Sequence, residues 1–485
     1  MRRIMMIAAI AAILIGCSES NDPVNPEPTP TPAPTPEPVV EWKTSDTTPI
    51  VLSANAGDTQ IKTVKTSDGK IVMTWLRPEG GDLESSTFGY RLYLQLFNAD
   101  GTPTFGTNGI LISDKPTMTY TTDYSLALAP NGDILMAYWD TRNDQINKEY
   151  NEVYLYRYSQ EGNPVWAKDG VRFSAGKTDN VEKVYEVSPA LCVSGNNIYV
   201  GIYRLEAGES FFYIQRLDEN GSPVWEDSVE LKTLEATFAA CSGGDIYVVY
   251  GNETFGLDAI RLDASGNNVW GKTVTVESSS LSGGIYMPKP NISIDGDQGM
   301  FLSYRILQQA SGYQVFNYLS STGNALNSPI SCNGNTDGDA GSAVMGSRNG
   351  KSLVAWELTE GPNDKKMLIN LFDRSGNALW DNSVSLAENE LWGFAPVAII
   401  PQSDGWIVLY GDCTNWNTAI FKAQKVDNDG KTIWIRQLGQ DNFVSTGFSV
   451  QYDDSKTYIF YTYEDENSAM GGMNVLCISN NPVQN

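Results

Sequence analysis

One strand-and-turn unit recurs eight times, each turn glycine is usually followed four residues later by an aromatic, and helical periodicity is absent from residue 41 onward. These observations predict an all-β chain, an eight-bladed β-propeller of four-stranded antiparallel blades whose ring is closed by the N-terminal strand completing the last blade. The inference is physical: a small four-stranded sheet cannot bury both faces until like sheets stack on either side of it.

The first residues are an address. Arg2 and Arg3 precede an almost wholly apolar run over residues 4–15, and Leu14-Ile15-Gly16-Cys17 follows, which reads as a signal peptide over residues 1–16 ending at a cysteine. The Leu-Ile-Gly-Cys segment resembles the bacterial lipobox, which implies that Cys17 becomes the lipidated N-terminus; an ordinary signal peptide holding a chance cysteine is the competing reading. Ser18, where some lipoproteins carry Asp, resembles those sent on to the outer membrane. Residues 17–40 are Pro-rich and fit an extended polyproline II tether of ~3.1 Å per residue. Nothing downstream is apolar for long enough to span a bilayer, so attachment is expected through lipid alone.

Residues 41–485 carry the repeat. Its first marker pairs Gly101 with Phe105, Gly162 with Trp166, Gly221 with Trp225, Gly266 with Trp270, Gly376 with Trp380 and Gly430 with Trp434, while Gly323 with Asn327 is degenerate. Asp218, Asp263, Asp373 and Asp427 stand three residues before their glycines, as expected of a hairpin turn in which Asp bonds back to the backbone and Gly takes the positive φ. The second marker is an apolar strand ending in an aromatic: Trp75, Tyr138, Tyr203, Tyr250, Tyr304, Trp356, Tyr410 and Tyr463, spaced 47 to 65 residues apart. The unit is therefore four strands, a to d. The last unit stops after its c strand at Val475-Leu476-Cys477-Ile478, and Glu41-Trp42-Lys43 through Ile50-Val51-Leu52 matches a d strand. The two chain ends should therefore pair.

Composition narrows function. The chain has no histidine, which removes imidazole-relayed hydrolysis and His-ligated zinc, iron or haem. A formal charge of -25 disfavours nucleic acid and anionic lipid as partners.

The turn motif Leu217-Asp218-Glu219-Asn220-Gly221-Ser222-Pro223-Val224-Trp225 resembles the repeats of pyrroloquinoline-quinone-type propellers, and less well the sialidase Asp-box. Here the turn is one residue shorter between Asp and Gly, and that family's adjacent-cysteine disulfide and catalytic insertions are not visible, so the resemblance implies a fold and no cofactor. Leader, tether and acidic propeller together resemble the Bacteroidetes surface lipoproteins that capture nutrients for a TonB-dependent outer-membrane transporter, xenosiderophore-binding propeller lipoproteins among them. That resemblance implies a cell-surface binder, not an enzyme, that takes a small anionic ligand such as a ferric catecholate siderophore of the enterobactin type.

In a propeller the b–c and d–a connections share one face. Trp75 and Arg77, Trp139 and Arg142, Tyr203 and Arg204, Arg305, Lys365 with Lys366, and Trp416 fall at or near b–c connections, where cations and rings would suit an anionic aromatic ligand. Packing between blades is the competing role for the aromatics, because an equivalent occurs in every unit; rim charges or carboxylate partners compete for the Arg. Asp140, Asp144 and Asn147, or Asp337 with Asp339, lack the full spacing of a calcium loop, so no metal ligand is assigned. Cys192, Cys241, Cys332, Cys413 and Cys477 read as buried thiols, with a Cys192–Cys241 bond the alternative. A surface glycan binder and a carboxylate-pair glycoside hydrolase, neither of which needs histidine, are the other functions the sequence allows.

Overall fold

The computed structural model describes residues 42–481 apart from 56, 80–88, 118–123, 144–150, 175–184, 207, 234–235, 255, 279–289, 309–310, 327–329, 333–337, 362, 391, 414–418, 444–446 and 465–469. Cys17, the tether and Trp416 lie outside the described residues. The strands form eight four-stranded antiparallel sheets in which the order within each sheet is a-b-c-d. The a strands, from Thr59–Lys65 through Phe448–Tyr452, touch their neighbours all the way round, and the last of them rests on the first. The ring is therefore closed with eight blades.

Closure takes the route the repeat predicts. Ile50–Ser53 pairs antiparallel with Met470–Ser479, Ile50 opposite Val475, and so becomes the d strand of blade 8. Arg436, at the edge of blade 7, ties both chain ends: its guanidinium donates to the Ser479 and Asn481 carbonyls at 2.8 Å each and reaches Asp46 at 3.5 Å. Ser45 N–H adds a bond to the Cys477 carbonyl at 2.9 Å.

The blades hold one another at two depths. Inside, eight apolar clusters occupy the junctions, one per neighbouring pair; Trp42, Met73, Phe97, Phe460 and Val475, for instance, fill the junction of blades 8 and 1. Strand b supplies much of this core, since both its faces meet a neighbouring sheet; Ile71–Leu76 and Ile134–Asp140 are buried throughout. At the rim, five of the turn aromatics, all but Trp434, underlie the next blade's turn glycine. A side chain at Gly162 would meet Phe105, at Gly221 Trp166, at Gly266 Trp225, at Gly323 Trp270, and at Gly430 Trp380.

The indoles also donate across the junction to the carbonyl two residues before that glycine: Trp166 to Glu219, Trp225 to Ala264, Trp270 to Ser321 and Trp380 to Asn428, at 2.8 to 3.0 Å. The sequence motif thus marks a latch between blades as well as a turn within one. At blade 5, where the motif degenerates, Gly376 instead meets Leu326 and Ile330.

The expected end of strand b at its marker aromatic is exceeded in several blades, where the strand runs on to Glu206 in blade 3, Gln308 in blade 5, Gly361 in blade 6 and Cys413 in blade 7. Strand b of blade 1 continues through Glu79 and strand c begins at Gly89, because the ladder extends through Arg77 opposite Arg91 and Pro78 opposite Tyr90. Among the described residues no helix is long and apolar enough to cross a membrane.

Candidate functional site

The Gly–aromatic turns and the a–b turns occupy one face, leaving the b–c hairpins and d–a connections on the other, here termed the loop face. The a strands begin at this face. Gln60, Lys62, Leu126, Gly447 and Ser449 line a cavity of about 610 Å³ between the first residues of the a strands of blades 1, 2 and 8. Lys62 lies over the Tyr124 ring, 5.0 Å from its centre.

On this face most of the basic residues named from sequence are built into pairs. In blade 1 the Arg77 guanidinium donates through Nε and Nη2 to both oxygens of Asp58, 2.8 Å each, and the Asp58 side chain has no exposure. The same guanidinium sits 4.5 Å from the centre of the Tyr93 ring, which stacks on Trp75 at 5.4 Å. Trp75, only 2% exposed, belongs to the core between blades 8 and 1.

Blade 2 repeats the device. Arg142 grips Asp140 at 2.8 and 3.0 Å, lies flat 3.3 Å from the Tyr154 ring centre and donates to the Tyr156 hydroxyl at 2.9 Å. Burial pushes the Asp140 carboxyl above its usual range, and Arg142 pulls it back down. Trp139 is buried between blades 2 and 3.

Arg204, in blade 3, is buried opposite Glu186 on the neighbouring strand, with a 2.7 Å bond between them. Beside it Tyr203 is half-buried, edge-on to Tyr185 at 6.1 Å. Arg305 of blade 5 donates to Asp339 of blade 6 at 2.7 Å. Lys366 pairs with Glu360 and lines a different cavity, a groove of about 640 Å³ between blades 5 and 6 whose lining includes Ser331, Asn370 and Asp381.

Lys422 pairs with Asp412 at 2.6 Å. By contrast, the Lys365 ammonium is paired with no carboxylate among the described residues. An array of guanidiniums that looks like a positive funnel in sequence is therefore largely neutralised by carboxylates at close range.

Three features of this face were not found from sequence. Asp58, Glu186 and Asp339 stand at or just before the starts of a strands and reach their Arg only once strands or blades are paired, whereas Asp140 pairs locally with Arg142 two residues on. Tyr185 and Trp392, in d–a connections, are 42% and 46% exposed, unlike the buried b-strand aromatics. Glu357, one residue after the marker aromatic Trp356, is a half-buried carboxyl pushed above the usual range by burial, with Lys365 and the Phe394 N–H pulling it back. The only available sequence signals were an acid next to a strand-end aromatic and the Trp-Gly pair at 392–393.

Among the described residues no three His, Cys, Asp or Glu side chains converge as a metal site. Asp140, one of the residues weighed for calcium, is committed to Arg142, while Asp144, Asn147 and Asp337 lie outside the described residues. Cys192, Cys241, Cys332, Cys413 and Cys477 form no disulfide among the described residues, and burial raises Cys192 and Cys241 to about 12 each.

No family model and no curated protein matches the chain. Several solved structures are distantly similar along most of the chain. Sqt1 of Chaetomium thermophilum, bound to the N-terminus of ribosomal protein L10, is 12% identical over 88% of this chain and 99% of that one, with a TM-score of 0.47. The polysaccharide lyase Uly1 is 10% identical over 88% and 90%, with a TM-score of 0.46. A protein from Dyadobacter fermentans is 12% identical over 89% and 98%, with a TM-score of 0.37. These likenesses concern fold.

Proposed function

We propose that this chain is a lipid-anchored cell-surface capture protein that binds a glycan on the loop face and passes it, chemically unchanged, to an outer-membrane transporter. The observation that carries the reading is the company kept by the cations: Arg77, Arg142, Arg204, Arg305 and Lys366 are each already bonded to a carboxylate. Such pairs present fixed donors and acceptors with little net charge, which suits hydroxyl groups better than a multiply charged anion. The exposed rings of Tyr185 and Trp392 supply flat apolar surface for the C–H face of a sugar. The leader and tether over residues 1–40 support the cell-surface part of the reading.

A ferric catecholate siderophore is the second reading, favoured by the guanidiniums stacked on Tyr93 and Tyr154, a geometry that also accepts catechol rings. Affinity electrophoresis of the mature chain in gels containing neutral or acidic polysaccharides tests the first reading, with retarded migration expected. Absence of retardation in every gel, combined with quenching of tryptophan fluorescence by micromolar ferric enterobactin, would replace it with the second.

A further inference from the structure

Where blades 5, 6 and 7 meet on the loop face, four elements converge. Strand b of blade 6, Lys351–Gly361, carries Glu357, strand c, Asp364–Asp373, carries Lys365 near its start, strand a of blade 6 brings Asp339 and Gly341, and the connection into blade 7 brings Trp392 and Gly393. Lys365 stands opposite Asn389 in the ladder, and Asn389 Oδ1 accepts the Trp392 N–H at 3.3 Å, so Lys365 and Trp392 are held to one short stretch of backbone.

The glycines fix Glu357. A Cβ built on Gly341 would lie 2.7 Å from Glu357 Oε2, and one built on Gly393 would strike Oε1. Gly393, at φ +81°, adopts a conformation that L residues rarely take. The carboxyl is therefore wedged between two stretches of backbone that only glycine allows to come so close, and it makes no ion pair with Lys365. The Lys365 stem lies against Gly393, its Cδ 3.1 Å from that glycine's missing Cβ. Arg305, the next cation, is spent on Asp339, which also takes the Gly312 N–H at 2.6 Å. The result is an ammonium outside any ion pair, attracted at longer range by Glu357, on the same stretch of the face as one exposed indole.

Resting on the glycan reading above, we propose that Lys365 and Trp392 form a subsite for an acidic sugar residue, the indole under the ring and the ammonium on its carboxylate. One unpaired cation matches one carboxylate, and a charge-assisted bond is about twice as strong as a neutral one. Glu357 stands by as a fixed acceptor for a ring hydroxyl.

Isothermal titration of the mature chain with galacturonate and glucuronate trimers, against galactose and glucose trimers of equal length, tests this. The uronate trimers are expected to bind at least tenfold more tightly, and that preference to collapse in 0.5 M salt. Lys365→Met should lower uronate affinity to near that of the neutral trimers, Lys365→Arg should restore most of it, and Trp392→Ala should weaken both classes. Equal affinity for acidic and neutral trimers, or a Lys365→Met variant that keeps the preference, overturns the subsite alone. Binding of none of the four trimers overturns the subsite and counts against the glycan reading beneath it.

Discussion

The indole of Trp42 fills the space that a side chain at Gly101 would need: a Cβ built on that glycine falls 2.6 Å from Trp42 Cδ2. Residue 42 thereby plays for blade 8 the part that Trp166, Trp225 and Trp380 play for their own blades, although it comes from the opposite end of the chain. It is also buried against Phe97, Tyr458 and Phe460. Trp42→Ala should therefore cost ~3–5 kcal/mol of unfolding free energy, the usual loss for a buried aromatic, read as a lower midpoint in urea. A midpoint within error of the parent would mean that the N-terminal segment is not part of the ring.

Removing the whole closing segment should do more. Without residues 41–52, strand Met470–Ser479 loses its edge partner and Arg436 loses Asp46. The deletion variant should show no single cooperative transition by circular dichroism. A variant that melts like the parent would refute closure by the chain ends.

The same junction should be sensitive to acid. Lys65 of blade 1 and Asp453 of blade 8 are 2.8 Å apart. Burial acts to raise the Asp453 carboxyl, but Lys65, Ser455 and the backbone N–H groups outweigh it and hold the carboxyl at about 2. Because the folded value lies below the unfolded 3.8, the stabilisation is present above about pH 4 and lost as pH falls toward 2. The Asp453 side chain is 37% exposed, so solvent screening limits the effect to about 1 kcal/mol. Between pH 5 and pH 2.5 the parent should lose that much more stability than Asp453→Asn, and parallel losses would contradict the assignment.

Arg77 and Lys365, both on the loop face, should behave oppositely on substitution. Arg77→Ala leaves the Asp58 carboxylate buried without its partner, which should cost ~3–5 kcal/mol of stability. Lys365→Met breaks no ion pair and should leave the urea midpoint within about 0.5 kcal/mol of the parent. An Arg77→Ala variant as stable as the parent would return that guanidinium to the pool of free ligand contacts.

Blade number, strand order and closure were legible in the sequence because the turn glycine, its aromatic and the apolar b strand each answer to local physics repeated at a near-constant period. The latch across blades was half legible. Trp225 stands out in sequence as the aromatic of the turn motif, but its bond to Ala264 needs the ring to be assembled before the two residues meet. The electrostatics of the loop face were least legible: Arg77 and Asp58 are 19 residues apart, and only strand pairing turns their side chains toward each other. Trp392 escaped notice for a related reason, since it follows no turn marker and its exposure depends on the d–a connection lifting it clear of the core.

The central claim, that the loop face binds a glycan and leaves it unchanged, is met most directly by affinity electrophoresis of the parent beside a Tyr185→Ala/Trp392→Ala double variant and a turn-face Val224→Ala control, with reducing ends assayed in the same mixtures. The account predicts retardation of the parent and the control, loss of retardation in the double variant, and no release of reducing ends. Retardation that survives the double substitution, or reducing ends that accumulate with time, would contradict it.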